Sequence, residues 1–222
     1  FEGCEKLQRH MRFLLEAGSL YKIYNSNLLF HACVPLNEDG SLKEVDVYGT
    51  TYQGRALYDA LDDWVRRAFL SEDPGERKRG RDLMWWLWLG AGSPLFAKSK
   101  MATFEIYLIG DKAARKEVKN PFYSLLDDDA VIDGIFREFG LDPATSHIVC
   151  GHVPVKVKDG EDPVRCGGKV FTIDGGFAKA YQPTTGIAGY TLISNSYGFV
   201  LAAHEPLEST EAAITHELDI HS

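Results

Sequence analysis

The segment S-H-I-V-C-G-H-V-P-V-K, residues 146–156, predicts the strand around which the other elements are arranged. Its β-branched and apolar run at 148–150 predicts a short buried strand, and Gly151 ends that strand where His152 projects from the tip. A histidine beside a glycine at a strand end is well placed to contact a metal ion or a phosphate group. The simpler interpretation is a hydrogen-bonded structural histidine, because neutral imidazole suits many half-buried polar positions.

A second histidine segment has the same design. The sequence L-L-F-H-A-C-V-P at 28–35 places His31 after an apolar strand and before a proline turn, as I-V-C-G-H-V-P-V at 148–155 does for His152. Each segment offers an imidazole nitrogen from the end of a strand, and imidazole suits divalent cations such as zinc, manganese and iron. Both histidines are therefore candidate metal ligands.

The remaining periodicity predicts a chain of mixed helices and strands. Helical spacing appears at residues 4–17, 51–89, 128–139 and 209–218, with one further helix between 103 and 128. Strand patterns appear at residues 20–24, 28–33, 41–48, 153–157, 169–173, 189–194 and 197–204. Gly175 and Gly176 predict a loop in which the backbone closely approaches a neighbouring group.

Composition excludes several classes of protein. The chain has 222 residues, of which 45% are hydrophobic, and this suffices for a substantial core. A formal charge of -8 argues against nucleic acid as a partner, because phosphate backbones are bound by accumulated Lys and Arg. No apolar run reaches the roughly 18 residues of a membrane span, and residues 1–12 carry no signal-peptide pattern. We expect a cytoplasmic protein with no membrane partner.

Two other features have simple structural interpretations. The four cysteines lie far apart without a C-x-x-C pair, so we expect reduced thiols rather than a zinc site or a disulfide framework. The basic run at 77–81 is interpreted as the solvated flank of a helix. The tryptophans that follow it, Trp85, Trp86 and Trp88, are interpreted as core residues.

Three longer segments resemble a known family. They are N-L-L-F-H-A-C-V-P-L-N-E-D-G at 27–40, G-S-P-L-F-A-K-S-K-M at 92–101 and D-G-G-F-A-K-A-Y-Q-P-T-T-G-I-A-G-Y-T-L at 174–192. Together with the two histidine motifs, they resemble the class III, or Firmicutes-type, fructose-1,6-bisphosphatases of the calcineurin-like metallophosphoesterase superfamily. The likeness runs from about residue 5 to the end of the chain.

The resemblance implies an α/β fold of mixed α+β type, the C-terminal half of a metallophosphoesterase β-sandwich in which two mixed sheets pack face to face with helices outside. It also implies that His31 and His152 bind the same ion of a two-metal centre of divalent cations, with manganese expected. An asparagine and a bridging aspartate from elsewhere would complete that ion's ligands. Pro154 occupies the position where many superfamily members have a further histidine. The implied reaction is the gluconeogenic hydrolysis of fructose 1,6-bisphosphate to fructose 6-phosphate and phosphate.

The superfamily's first motifs, G-D-x-H, G-D-x-x-D and G-N-H, are absent from the sequence, which opens on Phe1. We therefore expect residues 1–222 to be the C-terminal part of a metallophosphatase domain whose partner is the N-terminal half of the same protein. None of the superfamily's catalytic residues is expected in this part. Two histidines bind a metal weakly without further ligands, so we expect the chain to be inactive alone.

The region between the histidines is longer than the superfamily core requires. Residues 51–140 form a candidate helical insertion that covers the site or makes a subunit contact in a homo-oligomer, and the alternative is ordinary core helices. Lys98 and Lys100 follow a Gly-Ser-Pro loop and are candidates for neutralising the remote phosphate of a sugar bisphosphate, because lysine is a flexible point charge. They are otherwise solvated loop residues.

Two alternatives remain open at this point. Another calcineurin-like phosphatase would act on a phosphoprotein or a dinucleoside polyphosphate. A non-catalytic folding or oligomerisation module would use both histidines structurally. The distance between the imidazoles of His31 and His152 tests the shared metal site, because two ligand nitrogens of one ion must lie within about 4 Å of each other.

Overall fold

The computed structural model describes residues 3–204 and 209–215, and it confirms a mixed α/β fold. The helices are α1 (Glu5–Ala17), α2 (Gly54–Leu70), α3 (Pro74–Leu89), α4 (Thr103–Leu108), α5 (Asp129–Glu138), α6 (Gln182–Thr185) and α7 (Thr210–Thr215). The strands are β1 (Tyr21–Tyr24), β2 (Asn27–Phe30), β3 (Val45–Val47), β4 (Thr50–Tyr52), β5 (His147–Cys150), β6 (Val164–Arg165), β7 (Val170–Thr172), β8 (Gly189–Asn195) and β9 (Gly198–His204).

A five-stranded mixed sheet with strand order β1-β2-β5-β7-β6 forms the centre of the fold. Strands β2, β5 and β7 are parallel to one another, while β1 and β6 are antiparallel to their neighbours. The carboxyl ends of the three parallel strands therefore meet at one edge of the sheet, the usual place for a site in such sheets. His31, His152 and Asp174 each follow one of these three strand ends.

One face of this sheet forms the main core. Leu28, Ile148 and Val170 are in register across the three parallel strands, and all three are fully buried. Helix α5 covers them with its own buried apolar face, Ile132, Ile135 and Phe136. The opposite face receives the β8–β9 hairpin through Phe199, whose ring packs on His147 at 4.7 Å and on Phe171 at 5.5 Å between centroids. Burial on both faces explains why the parallel strands are almost entirely apolar.

Helices α2 and α3 form an antiparallel pair beside this core. The Asp73 carboxylate accepts a 2.7 Å hydrogen bond from the Glu76 amide and so caps α3, and Pro74 follows at the first helical position. The two helices approach most closely where Gly80 faces Ala68, because a Cβ added to Gly80 would lie 2.1 Å from the Ala68 Cβ. The glycine is therefore required by helix packing rather than by local backbone conformation.

This close approach makes Gly80→Ala a destabilising substitution, although alanine is the better helix former by about 1 kcal/mol. In the intact protein we expect a loss of about 1–3 kcal/mol of unfolding free energy, the usual penalty for overpacking. Gly134→Ala is the matched control, because Gly134 lies inside α5 with nothing within 4 Å of an added Cβ. Gly134→Ala should raise the unfolding free energy by about 0.5–1 kcal/mol. Denaturant unfolding measures both, and equal effects of the same sign would contradict the packing argument.

Several sequence expectations are confirmed and others are wrong. The strands predicted at 20–24 and 28–33 are present as β1 and β2, around a turn in which Asn25 and Ser26 have φ of 48° and 59°. The strand predicted at 153–157 is wrong, because this segment turns at the sheet edge and enters a short 3₁₀ helix at Val157–Asp159. The strand predicted at 41–48 is present only as the shorter β3. This strand forms a hairpin with β4, which overlaps the start of the region predicted to be helical.

Two of the three tryptophans do not lie in the core. Trp85 and Trp88 are 69% and 71% exposed, whereas Trp86 is half-buried. The four cysteines are free thiols, as expected. The helix predicted at 209–218 is present as α7, and residues 216–218 lie outside the described residues. Within residues 3–204 and 209–215, no helix has both the length and the apolar character needed to cross a bilayer.

Candidate metal centre

Two tyrosines, the buried Tyr58 and the half-buried Tyr123, fix the backbone that carries His31 out of β2. The Tyr58 hydroxyl donates a 2.6 Å hydrogen bond to the Cys33 carbonyl, and the Tyr123 hydroxyl donates a 3.0 Å bond to the Ala32 carbonyl. Burial raises the pKa of both phenols, so they remain protonated donors across the physiological range. The Cys33 amide in turn donates to the Pro94 carbonyl at 3.2 Å. The loop after β2 is therefore held on several sides.

His152 lies at the centre of a strained turn. The Val153 amide donates a 2.8 Å hydrogen bond to the Gly151 carbonyl, which closes a three-residue γ-turn, and His152 has a φ of 65°. Positive φ is costly for a histidine and persists only where the surroundings impose it, most often at functional sites. The Gly151 amide also donates to the His31 carbonyl at 2.9 Å, which ties the two histidine loops together.

The two imidazoles converge, although they lie 121 residues apart in sequence. The His31 Nε2 lies 3.0 Å from the His152 Nδ1. On its other side, the His152 Nε2 lies 2.9 Å from the Phe96 carbonyl, to which it can only donate. The neutral His152 ring therefore carries a lone pair on the Nδ1 that faces His31. Two ligands bound to one ion at about 2.1 Å, with bond angles between 90° and 109°, have nitrogens about 3.0–3.4 Å apart.

The loop at 92–101 positions the Phe96 carbonyl. Ser93 is fully buried, and its hydroxyl donates to the Leu87 carbonyl at 2.6 Å. The same oxygen accepts hydrogen bonds from the amides of Leu95 and Phe96 at 3.2 and 3.4 Å. Ala97 follows with a φ of 54°, and its amide donates to the Ser93 carbonyl at 2.9 Å. Ser93 thus sets the turn that aims the Phe96 carbonyl at His152.

The electrostatics of the pair favour neutral rings. Burial lowers the pKa of His31, and burial together with the neighbouring His31 lowers the pKa of His152. The Asp174 carboxylate acts in the opposite direction on the pKa of both rings, which identifies it as a neighbouring charge. It also accepts a 2.8 Å hydrogen bond from the Gly176 amide. Both imidazoles are therefore neutral near pH 7, the state in which histidine binds a metal ion.

These residues fit part of a metal site. Two neutral nitrogens face each other at ligand spacing, and the second ring nitrogen of His152 is oriented by a backbone carbonyl, as is usual for metal-bound histidine. Among residues 3–204 and 209–215, no group of three or more His, Cys, Asp or Glu side chains is arranged to hold an ion.

The two lysines lie on the loop beside this pair. Lys98 forms an ion pair with Glu117 at 2.9 Å, and its charge contributes to lowering the pKa of His152, which places it near the rings. The Lys100 ammonium donates to the Ala114 carbonyl. Glu117 also accepts a 2.9 Å hydrogen bond from the Ala102 amide. A phosphate-binding role for Lys98 and Lys100 stays a prediction.

Sequence reasoning did not identify two contributors to the site. Asp174 lies in the segment 174–192 and follows the third parallel strand, so its position at a strand end was the signal available. The Phe96 carbonyl could not be identified from the sequence, because every residue type has a backbone carbonyl.

The family model described as Firmicute fructose-1,6-bisphosphatase matches residues 1–222, the whole of the chain. The chain belongs to this family. A relative from Clostridium botulinum strain Langeland, named fructose-1,6-bisphosphatase class 3, is 55% identical over 223 aligned residues that cover 100% of this chain and 33% of the relative. A relative of the same name from Clostridium tetani is 54% identical and is covered over 34% of its length.

The chain therefore spans about a third of the length of these Firmicute fructose-1,6-bisphosphatase relatives. No solved structure matches it significantly. The three long segments and the two histidine motifs from which the family was inferred all lie within the matched residues.

Proposed function

We propose that the intact protein hydrolyses fructose 1,6-bisphosphate to fructose 6-phosphate and phosphate, using a centre of divalent cations to which this chain contributes His31 and His152. The convergence of these two imidazoles at 3.0 Å is the single observation that carries the proposal. Family membership and the name shared by the relatives support the sugar-bisphosphate substrate.

Within this chain, the protein fixes the direction and the protonation state of two ligands. The Phe96 carbonyl holds the proton of His152 on Nε2 and leaves Nδ1 available, while Tyr58 and Tyr123 hold the backbone that follows His31. Divalent cations held by these histidines and by further ligands would supply Lewis-acid chemistry, which activates water and screens the charge of the phosphoryl group. Manganese is the proposed cation, because imidazole and oxygen ligands together suit it.

The N-terminal part is proposed to supply the bridging aspartate, the asparagine, the catalytic residues and the second sheet of a β-sandwich. Residues 51–140 are proposed to be an insertion relative to the superfamily core. Lys98 is proposed to exchange its contact with Glu117 for the remote phosphate of the sugar. We further propose that the protein acts in gluconeogenesis in the cytoplasm, and that this chain alone is inactive.

Phosphate release by the intact protein with manganese tests the substrate. We expect fructose 1,6-bisphosphate to be hydrolysed with a kcat/KM at least about 10²-fold above that of a phosphopeptide or a dinucleoside polyphosphate, because only the sugar presents a second, separate phosphomonoester group to the lysines. This chain alone, assayed under the same conditions, should release no phosphate. A preference for the phosphopeptide or the dinucleotide would assign the protein to another branch of the superfamily. Activity of this chain alone would show that the upstream ligands are dispensable.

A further inference from the structure

Helix α3 exposes a continuous surface on the side away from its buried residues Gly80, Leu83 and Leu87. Its members recur at the spacing that places side chains on one side of an α-helix, and all are exposed. We call this surface the α3 stripe, and it consists of Arg77, Lys78, Arg81, Met84, Trp85 and Trp88.

The α3 stripe is polarised along the helix. Its N-terminal half carries three cations and its C-terminal half carries Met84 and two tryptophans, and one exposed acidic residue, Asp82, lies at its flank. Within the part of the chain that the structure describes, no ion pair engages Arg77, Lys78 or Arg81. In this chain, which spans about a third of the length of its relatives, the two tryptophans are exposed by about 70%, and such exposure is typical of the anchor residues of interfaces.

We propose that the α3 stripe is a homodimer contact, in which α3 packs antiparallel against α3 of a second copy about a two-fold axis near residue 83. A two-fold contact requires a self-complementary surface, in which residue i meets residue j and residue j meets residue i. An axis at this position brings Arg81 onto Trp85 of the second copy and Lys78 onto its Trp88. Each contact occurs twice, and each places a cation on an aromatic ring.

The charge pattern selects the orientation of this contact. Parallel packing would place the cations of one copy on those of the other, and repulsion between like charges opposes this. Antiparallel packing places Lys78 and Arg81 on aromatic faces, leaves Arg77 at the edge of the contact, and also brings the opposite ends of the two helix dipoles together. The chain already contains one contact of this type, because the Arg67 guanidinium lies 4.1 Å from the centre of the Trp64 ring on neighbouring α2. The α3 stripe thus supplies both halves of the complementarity that a second copy needs.

The oligomeric state of the intact protein tests the proposal. Sedimentation velocity at micromolar concentrations should show a dimer, and the double substitution Trp85→Ala and Trp88→Ala should raise its dissociation constant at least about tenfold. Phe104→Ala is the matched control, because Phe104 is a 76% exposed aromatic residue on α4, away from the stripe. It should leave the dimer intact. A monomeric wild-type protein, or a dimer that only Phe104→Ala dissociates, would overturn the proposal.

Cysteine crosslinking tests the orientation independently of the tryptophans. In a protein whose exposed Cys4 is replaced by serine, Met84→Cys should be joined to its symmetry mate by a short bis-maleimide, since position 84 lies beside the axis. Arg77→Cys should not, because six residues from the axis the two copies are about 18 Å apart along the helices. Crosslinking at 77 but not at 84 would indicate another arrangement and would refute the antiparallel contact. Absence of crosslinking at both positions would exclude the α3 stripe as the interface.

Discussion

Replacing His31 or His152 with alanine in the intact protein is expected to remove bound manganese and to lower kcat by more than about 100-fold. The loss should exceed the roughly 10–100-fold effect of removing an outer-shell partner, because an inner ligand is lost. The His31 Nε2 and the His152 Nδ1 lie 3.0 Å apart. If both bind one ion, as proposed, the double substitution should cost little more than either single one. Metal content by mass spectrometry and phosphate release measure the two effects.

The control for these substitutions is His10→Ala, because His10 is an exposed residue on α1. It should leave metal content and turnover unchanged. Metal content separates the proposed role from a structural one: a structural histidine would lower stability without a stoichiometric loss of manganese. Unchanged metal content and unchanged activity in both single variants would remove His31 and His152 from the ligand set.

The sequence predicts the convergence of the histidines better than it predicts the path of the chain between them. Short apolar runs before His31 and His152 indicated two buried strands, and adjacent parallel strands bring their carboxyl ends to one edge. The segment 153–157 also carries three valines but is not a strand, because it follows the γ-turn at His152. Its Val155 is apolar because it packs against Ile187 and Tyr190 beside the hairpin. Apolar residues in a sequence indicate burial, and residues can be buried in loops as well as in strands.

The prediction that the tryptophans of α3 are core residues is wrong for a related reason. Leu83 and Leu87 face α2, so the apolar residues on the other side of the same helix have no core to enter. Periodicity finds the buried face of a helix, but it does not distinguish a second core face from a surface that is covered only by another molecule. For that reason the sequence pattern predicts Trp85 and Trp88 to be core residues, although both side chains are exposed. A second copy packed on the α3 stripe would explain why these large apolar side chains are exposed in a single copy.

Gly175 follows Asp174 at the end of the third parallel strand, and there it touches the start of the β8–β9 hairpin. A Cβ added to Gly175 would lie 2.6 Å from the Gly189 Cα and 2.7 Å from the Gly189 nitrogen. A backbone hydrogen bond crosses the same junction, from the Tyr190 amide to the Ile173 carbonyl at 3.2 Å. This confirms the close backbone approach predicted from the two consecutive glycines.

Gly175→Ala is therefore expected to cost about 3 kcal/mol of unfolding free energy, at the upper end of the overpacking range, because the group that must move is backbone. The same displacement shifts Asp174 beside the histidine pair, so manganese affinity should fall as well. Gly110→Ala is the control, since Gly110 lies in a loop with nothing within 4 Å of an added Cβ, and its effect should stay within about 0.5 kcal/mol. Denaturant unfolding and manganese titration of the intact protein measure both quantities. Loss of stability with unchanged manganese affinity would contradict the expectation that the Gly175 junction positions Asp174 at the metal centre.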